Sequence, residues 1–581
     1  MQLRYLRLPN FRNLRDVEIR FDTALAPLSG AAADAQPELI RSHAIIGQNG
    51  TGKSNLIEAL VTIFRDIDLN RDAAFDYTLE YSIGEGTVRV KADTAKQKRP
   101  FVKVNGKQQS QKYLLENREL LPSHVFAYYS GRNERLEELF QEHQRRFSRR
   151  QETVVEEKLS ASDLARLHSA SGFDPEAAKR LESDIENRDR HLGDDRLRRL
   201  FYCRGGHSQL VLLACLLSDD PMFQKIMHDL GIEALESALF VLKEPYRLRE
   251  KRRNGRFDDN DFNEGDPRFW YARGNVVSEF LDKLWQVAWA PIEQEADKRI
   301  DFRGRSEKQR QLYLFVPSHQ KLKELGEQVG SADSFFRYAE GAYIGDLIEE
   351  VRITVKKRDE DAKVSFSQLS EGELQLLTVL GLMRITRDRN CLFLLDEPDT
   401  HLNPIWKLRY FDEIKHALGS DEDAAADSQI LLTTHDPMMI GGLRKEQVRI
   451  LRREGKRTVV DTPDEHPQGM GVTGLLKSDV FGLSSTLDAE TERRLLRRND
   501  LFVKSSRTPD ENAELTRLSA ELSDLGFSTA DFRDPDYALF VRKLAQHRKL
   551  RKPALSTADQ AEQDRIASKI INEILREEDG K

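Results

Sequence analysis

The hydrophobic positions at the start of the chain follow two different periods. Leu3 to Leu8 and Val17 to Phe21 alternate apolar with polar residues, as strands do, and they flank the loop Pro9 to Leu14. His43 to Ile46 is a short apolar run typical of a buried strand, and Asn55 to Arg65 has the period of an amphipathic helix. The pattern therefore predicts two paired strands, followed by a strand, a connecting loop and a helix.

The pattern changes again further along the chain. Phe75 to Val104 alternates over short stretches joined by glycine turns, which predicts a small antiparallel sheet. Residues 139–340 are highly charged with a mostly helical period, and they predict an inserted helical domain. Apolar strand patterns return between residues 341 and 460, and charged helical patterns follow. We therefore expect an α/β fold with a mixed sheet, divided into residues 1–138, 139–340, 341–460 and 461–581.

Composition narrows the possible class of protein. A chain of 581 residues is long for a single core. Charged residues make up 33% of it, but the net charge is only −7, so any contact with nucleic acid would use local basic patches. The three cysteines show no metal-ligand spacing, and the N-terminus lacks the apolar core of a signal peptide. We expect a cytoplasmic protein with no membrane partner.

A glycine loop follows the short strand at residues 43–46. Gly47-Gln48-Asn49-Gly50-Thr51-Gly52-Lys53-Ser54 has the spacing of a phosphate-binding loop, and a strand precedes it and a helix follows it. In such a loop the backbone N–H groups surround phosphate at the N-terminus of the helix. Lys53 would reach the β- and γ-phosphates, and the Ser54 hydroxyl would bind Mg²⁺.

Two acids end a later apolar strand. Leu392 to Leu395 leads directly into Asp396 and Glu397, which places both carboxylates at the carboxyl edge of a parallel sheet, where such folds bind ligands. Asp396 would hold the metal, directly or through water, and Glu397 could polarise the attacking water as a general base. Taken alone, the pair could also be an acidic strand end on the surface.

Two further segments fit the same chemistry. Leu369 to Glu373 precedes a helical pattern, so Ser370 and the N–H of Gly372 would form a second anion site at a helix N-terminus, although Ser-Glu-Gly-Glu is also an ordinary capping sequence. His435 follows another apolar strand and could hydrogen-bond a γ-phosphate, although a lone histidine is more often structural.

Together these segments resemble the ATP-binding-cassette head of SMC, RecF and related DNA-transaction ATPases, over roughly residues 1–140 and 341–460. Gly47 to Ser54 is similar to Walker A, Leu369 to Glu373 to the signature, and Leu392 to Glu397 to Walker B. Pro398 to Pro404 is similar to the D-loop and His435 to the switch histidine. The resemblance implies an ATPase that uses ATP and Mg²⁺.

The resemblance also assigns roles to individual residues. Phe11-Arg12-Asn13 matches a loop that lies near nucleotide in SMC-like and RecF-like heads. The candidates for nucleotide contact are Arg12, Asn13, Gly47, Asn49, Gly50, Gly52, Lys53, Ser54, Asn55, Ser370 and Gly372; those for Mg²⁺ are Ser54 and Asp396; those for catalysis are Lys53, Glu397 and His435.

Two positions depart from the usual family pattern. Glu371 replaces the second-position glycine of the signature, and residues 128–133 stand where the Q-loop glutamine is expected. In this family the signature of one head closes on the ATP of another. The resemblance therefore implies a head-to-tail ATP sandwich in a homodimer or higher homo-oligomer, with Ser370 acting on the nucleotide of a neighbour.

A narrower resemblance concerns Leu200 to Gln209, Phe481 to Asp488 and Arg533 to Tyr537. These strings are similar to segments of the ATPase subunits of bacterial antiphage systems, especially those of the Septu type (PtuA) and their retron-associated relatives. Such ATPases work with a separate HNH nuclease (PtuB-like), and this sequence offers no His-Asn-His arrangement of its own. The resemblance implies a regulatory ATPase subunit of a defence complex with a partner nuclease.

Other interpretations remain open at this stage. The chain could be a RecF-like or SMC-like repair ATPase that binds DNA junctions through its insertion, or a scaffold that binds ATP without turnover. Three basic clusters could contact DNA: residues 145–150, 247–256 and 542–552.

Two further patterns favour ordinary structure over metal binding. Asp259 to Gly265 resembles a calcium loop, but its glycine is one place late and Trp270 stands where a bidentate glutamate is needed. The pattern therefore favours a solvated acidic loop. Cys203 and His207 have the spacing of helix ligands without a second pair, which favours a packed helix.

Overall fold

The computed structural model describes residues 1–22, 24–25, 40–130, 134–151, 200–203, 205–257, 262–263, 265–272, 280–299, 306–358, 363–386, 390–418, 428–483, 485–504, 506–525, 565–566 and 568–569. The chain forms two compact units. The first takes in the described residues of Met1–Ala24, Glu38–Ser42 and Ser54–Thr433. The second takes in those of Leu25–Pro37, His43–Lys53 and Thr434–Lys581.

The strands of the described residues are β1 (Gln2–Phe11), β2 (Leu14–Arg20), β3 (Ser42–Gly47), β4 (Tyr77–Ile83), β5 (Gly86–Ala92), β6 (Phe101–Val104), β7 (Lys107–Gln109), β8 (Val125–Tyr129), β9 (Leu200–Tyr202), β10 (Ile232–Lys243), β11 (Trp289–Arg299), β12 (Ser306–Val316), β13 (Ile348–Lys357), β14 (Lys363–Ser365), β15 (Leu392–Asp396), β16 (Gln429–Thr434), β17 (Val448–Glu454) and β18 (Arg457–Asp461).

The α-helices of the described residues are α1 (Lys53–Asp68), α2 (Gln111–Glu116), α3 (Glu134–Gln151), α4 (Gly205–Leu217), α5 (Pro221–Asp229), α6 (Tyr246–Arg253), α7 (Asp282–Val287), α8 (His319–Val329), α9 (Ala332–Ile344), α10 (Glu371–Ile385), α11 (Pro404–Leu418), α12 (Pro437–Ile440), α13 (Gly471–Lys477), α14 (Ala489–Val503) and α15 (Pro509–Asp524).

An antiparallel sheet opens the first unit, with the strand order β2, β1, β4, β5, β6, β7. The alternation predicted for β1 and β2 is confirmed, because Leu6, Leu8, Val17 and Ile19 are buried on these strands. The small sheet predicted between Phe75 and Val104 is also confirmed, as β4, β5 and β6.

A parallel row of strands lies in the same unit, in the order β16, β15, β8, β9. All five residues of β15 are buried, as expected for a strand that has a neighbour on each side in a parallel sheet. The register places Asp396 of β15 opposite Thr433 of β16 and Tyr129 of β8. Parallel pairing therefore brings the ends of three strands to one sheet edge.

A second antiparallel sheet corrects one sequence prediction. Its order is β11, β12, β10, β13, β14, and β10, β11 and β12 fall within residues 139–340, where helices were expected. Ile232–Lys243 has apolar residues at helical spacing and contains good helix formers, but it pairs with β12 on one side and β13 on the other. Tertiary pairing overrides local propensity here. The four domain boundaries themselves stay a prediction.

The second unit contains three paired strands in the order β18, β17, β3. β3 runs parallel to β17 with Gly47 opposite Leu451, and β17 and β18 form an antiparallel hairpin. Helices α14 and α15 are joined by a bidentate ion pair, in which Arg497 donates to Glu514 at 2.9 and 2.7 Å. Of the helices in the described ranges, none combines the length and the apolar character needed to cross a membrane.

Helix α10 lies in the core of the first unit. Every residue from Gln375 to Met383 is buried, in agreement with a sequence that is apolar on all sides. Gly381 allows close packing against α4, because a Cβ atom at this position would lie 2.3 Å from Cγ1 of Val211.

The contact between α10 and α4 leads to a stability prediction. Gly381→Ala should lower the free energy of unfolding by about 1–2 kcal/mol, because overpacking outweighs the gain in helix propensity. The same substitution should stabilise a Val211→Ala protein, in which the clashing methyl group is gone. Urea denaturation of the four proteins of this cycle measures the coupling. Equal effects of Gly381→Ala in both backgrounds would contradict the packing argument.

Candidate functional site

The glycine loop of the second unit connects β3 to the start of α1. Gly50 and Gly52 have φ angles of +82° and +107°, which side chains rarely adopt. The loop is closed by Thr51, whose N–H and hydroxyl both donate to the carbonyl of Gln48, at 3.2 and 2.8 Å. The predicted loop thus has the tight turn that its glycines permit.

Gly47 is needed for space at the end of β3. A Cβ atom at this position would lie 2.6 Å from the carbonyl oxygen of Leu451 on β17 and 2.7 Å from the hydroxyl of Thr51. Both atoms belong to well-anchored groups, so the loop excludes any side chain here. Asn49 and Gly50 are exposed on the outside of the turn.

Lys53 is buried at the end of the loop. It is only 5% exposed, and its ammonium group donates to the carbonyl oxygen of Gly47 at 2.9 Å. The positive charge therefore lies against the backbone that would surround a phosphate chain. The boundary between the units passes between Lys53 and Ser54, so Ser54 and the rest of α1 belong to the first unit.

The N-terminal hairpin of the first unit contacts the first turns of α1. Asn55 donates to the side chain of Asn13 at 2.6 Å, and Arg12 forms an ion pair with Glu58. Glu58 is buried, and Arg135 of α3 lies 3.7 Å from its second carboxylate oxygen. Arg12 and Asn13 thus contact α1 within one or two turns of Ser54, and their contact with nucleotide stays a prediction. No local pattern indicates a role for Glu58, because its partners are distant along the chain.

The acid pair lies at the end of β15. Asp396 is 1% exposed and accepts a hydrogen bond from the hydroxyl of Thr433. The N–H of Glu397 donates to the carbonyl of Thr433 at 3.1 Å. Glu397 is half-buried and has a φ of +48°, which is uncommon for a residue with a side chain. One threonine of the neighbouring strand therefore supports both acids.

The end of β8 lies beside the acid pair. Tyr129 is opposite Asp396 in the parallel register, and the N–H of Ser130 donates to the carbonyl of Asp396 at 3.3 Å. Burial raises the pKa of Tyr129, and the negative charges of Asp396 and Glu397 raise it further. Tyr129 is thus a neutral phenol at this sheet edge. Residues 131–133 of the segment expected in place of the Q-loop lie outside the described residues.

Ser370 is the N-cap of α10. Its hydroxyl accepts from the N–H of Glu373 at 3.2 Å, and the Glu373 carboxylate accepts from the N–H of Ser370 at 2.7 Å. Burial would raise the pKa of Glu373, but the hydrogen bonds from Ser370 and the charge of Lys357 lower it below its usual value. Ser370 is exposed, so its hydroxyl and the helix N-terminus face solvent.

Gly372 and His435 complete the set of candidates. A Cβ atom at Gly372 would lie 2.5 Å from the carbonyl oxygen of His401, so the first turn of α10 packs closely on the segment that follows the acid pair. His435 lies in the second unit, is exposed, and follows β16 directly. Asp436, the next residue, caps α12 by accepting from the N–H of Met438 at 2.8 Å.

The residues present fit ATP and Mg²⁺. Gly50 and Gly52 give the loop its tight turn, and the buried ammonium group of Lys53 lies against the loop backbone. In the first unit Asp396 supplies a buried carboxylate and Ser54 a hydroxyl at the start of α1, which are the oxygen ligands that Mg²⁺ prefers.

The remaining candidate segments have structural partners or lie outside the described residues. His207 lies on α4 and is fully buried, 3.7 Å from the buried carboxylate of Glu340, as expected for a packed helix. Cys203 lies between β9 and α4, so the prediction of a helix is wrong for this residue; burial raises the pKa of its thiol. No group of three metal-ligating side chains occurs among the described residues.

The three basic clusters differ in what the structure shows. In the cluster at residues 247–256, Arg249 and Arg252 pair with Glu307 and Glu244. The side chains of residues 146–150, the strings at residues 533–537 and 542–552, and parts of residues 259–265 lie outside the described residues.

The part of the chain that carries several of these motifs is similar to known proteins. A family model described as "AAA domain, putative AbiEii toxin, Type IV TA system" matches residues 234–440. This region is less than half of the chain. It contains the signature helix, the acid pair and His435, and it begins after the glycine loop.

Septu protein PtuA from Bacillus mycoides (strain KBAB4) is 32% identical to the chain over 139 residues. The alignment covers 23% of this chain and 18% of that protein. The chain therefore spans less than a fifth of the length of this relative.

Two solved structures align with most of the chain, at low sequence identity and with low TM-scores. The SMC head domain with an extended coiled coil bound to the C-terminal domain of ScpA, from Pyrococcus furiosus, shows 13% identity over 79% of this chain and 96% of that chain, with a TM-score of 0.28. The SMC head domain from Thermotoga maritima shows 12% identity over 80% and 99%, also with a TM-score of 0.28.

The similarity of this chain to known ATPases lies in its motifs and in the two partial sequence matches. The structure contains a strand, glycine loop and helix, a buried acid pair at the end of a parallel strand, and a capped signature helix. These elements resemble the parts of an ABC-type head. In these motifs the chain resembles ATPases of the SMC/ABC type, and over part of its length it is similar to Septu protein PtuA.

Proposed function

We propose that the chain binds ATP with Mg²⁺ and hydrolyses it. The observation that carries this proposal is the acid pair, in which Asp396 and Glu397 are both anchored to Thr433 at the end of a buried parallel strand. A buried carboxylate is costly unless something binds it, so acids of this kind point to function. The glycine loop with Lys53 supports the same conclusion, since its geometry suits phosphate.

Each candidate then has a chemical role. The loop N–H groups and Lys53 bind the phosphates, while Ser54 and Asp396 hold Mg²⁺. The metal supplies positive charge that stabilises the transferring phosphoryl group. Glu397 accepts the proton of the attacking water, and His435 donates a hydrogen bond to the γ-phosphate.

We propose further that Ser370 acts on the ATP of a neighbouring subunit. Its hydroxyl and the positive end of α10 are exposed, which leaves them accessible to an anion from outside the subunit. The capping box fixes the direction of this helix end before any ligand binds. A symmetric pair of subunits would place two nucleotides between two signatures, so the smallest assembly is a homodimer.

At the level of the cell, we propose that the chain is the regulatory ATPase of an antiphage complex and that it controls a separate nuclease of the HNH class. The similarity to Septu protein PtuA supports this role, and so does the lack of a His-Asn-His arrangement in the sequence. ATP binding and hydrolysis would switch the complex between two states that differ in affinity for nucleotide.

The proposed chemistry predicts a clear separation of binding from turnover. Glu397→Gln should lower ATP turnover at least a hundredfold while ATP affinity stays within about threefold, because a general base acts only in the chemical step. Lys53→Ala should weaken binding itself. Phosphate release and equilibrium binding of a fluorescent ATP analogue measure the two effects. Glu454→Gln, an exposed carboxylate at a strand end, is the control, and unchanged turnover in Glu397→Gln would contradict the assignment.

The sandwich predicts complementation between two inactive proteins. Lys53→Ala removes the phosphate lysine, and Ser370→Arg blocks the signature. A mixed dimer retains one intact composite site, so an equimolar mixture should recover about a quarter of wild-type turnover. A pull-down with ATP, in which the two variants carry different affinity tags, verifies that mixed dimers form. A mixture that stays inactive although mixed dimers form would contradict action in trans.

The biological role predicts a phage phenotype. Cells that express the chain with its neighbouring reading frames should lose protection when Glu397→Gln is introduced, because the switch cannot turn over. Plaque counts should then rise to those of undefended cells. Unchanged protection would contradict a defence role. Sensitivity of a deletion strain to DNA damage, without any change in plating, would instead support a repair ATPase.

A further inference from the structure

Helix α10 contacts the segment that follows the acid pair at three places. The side chain of Gln375 donates to the carbonyl of Pro398. The backbone at Gly372 packs against the carbonyl of His401, and the imidazole of His401 lies 3.0 Å from the carboxylate of Glu371. All these residues belong to the first unit. The helix that begins at the signature thus holds the chain just beyond Glu397.

Of the three polar side chains in these contacts, that of Gln375 is buried. It is 4% exposed, whereas the side chains of His401 and Glu371 are 42% and 77% exposed. A hydrogen bond in a buried place is stronger and costs more to lose than one that water can replace. Of the three contacts, the bond from Gln375 to Pro398 therefore constrains the backbone most.

The position of this bond matters because of the conformation of Glu397. A glutamate with a φ of +48° is strained and persists only when its surroundings hold it there. On its N-terminal side the N–H of Glu397 is fixed to Thr433. On its C-terminal side the next residue is Pro398, whose carbonyl is fixed by Gln375. The strained residue is thus held from both sides.

We infer that Gln375 is a positioning residue for Glu397, and that α10 connects Ser370 to that carboxylate. This inference rests on the proposed function, in which Glu397 is the general base and Ser370 binds the nucleotide of a neighbour. The capping box at Ser370 and the buried body of α10 make the connection stiff. An anion bound at the N-terminus of the helix would therefore act on the orientation of Glu397 in the same subunit.

The test compares two substitutions at one buried position. Gln375→Leu keeps the volume but removes the donor, so kcat should fall at least tenfold while the affinity for ATP stays within twofold, because misplacement of a base costs rate and not binding. Gln375→Glu can donate to Pro398 only when protonated. Its kcat relative to wild type should therefore rise as pH falls, whereas the ratio for Gln375→Leu should stay flat.

Two controls separate positioning from general damage. Gln108→Leu changes an exposed glutamine on β7 and should leave kcat unchanged. Introducing Gln375→Leu into Glu397→Gln should cause no further loss in single-turnover hydrolysis, because the group that Gln375 positions is already absent. ATP binding by each variant shows that it is folded.

The outcomes distinguish the two levels of the proposal. If the wild-type protein hydrolyses ATP and Gln375→Leu has the same kcat, the positioning role is overturned and the proposed function stays intact. A further tenfold loss in the Glu397→Gln background would also overturn it, since Gln375 would then act elsewhere. A wild-type protein that binds ATP without turnover would overturn the proposed hydrolysis itself.

Discussion

The positions of Asp396 and Glu397 depend on their hydrogen bonds with Thr433. Its hydroxyl donates to Asp396, and its carbonyl accepts the N–H of Glu397 at 3.1 Å. Both bonds require that β15 and β16 pair in parallel with Asp396 opposite Thr433. A slip by one residue would turn the side chains to the opposite face of the sheet and leave a buried carboxylate without its donor. The register of two apolar strands therefore determines where the acids lie.

The features predicted from the sequence are those encoded within a few residues. The strand before Gly47, the helix after Lys53, the acids at the end of β15 and the cap at Ser370 each depend on a local period or a local residue preference. The chemical roles of these segments could also be predicted, because phosphate loops and helix caps are short motifs.

The features that were missed depend on distant partners. Ile232–Lys243 has a helical pattern but becomes a strand because β12 and β13 lie beside it. The carboxylate of Glu58 pairs with Arg12 and Arg135, and the side chain of Gln375 donates a hydrogen bond to Pro398. These partners are too far apart in the sequence for a local pattern to indicate the contacts. Contacts of this kind are set by packing, so a single sequence cannot indicate which polar side chains meet.

Packing also explains the unusual signature of this chain. The close approach to the segment after the acids occurs at Gly372, where a Cβ atom would lie 2.5 Å from the carbonyl of His401. Position 371 has no such restriction, since the side chain of Glu371 is 77% exposed and reaches the imidazole of His401. A glycine is therefore required at the second of these two positions but not at the first. The replacement of the first by glutamate keeps the backbone contact and adds a contact between its carboxylate and the imidazole of His401, which strengthens the link between the signature helix and the segment after the acid pair.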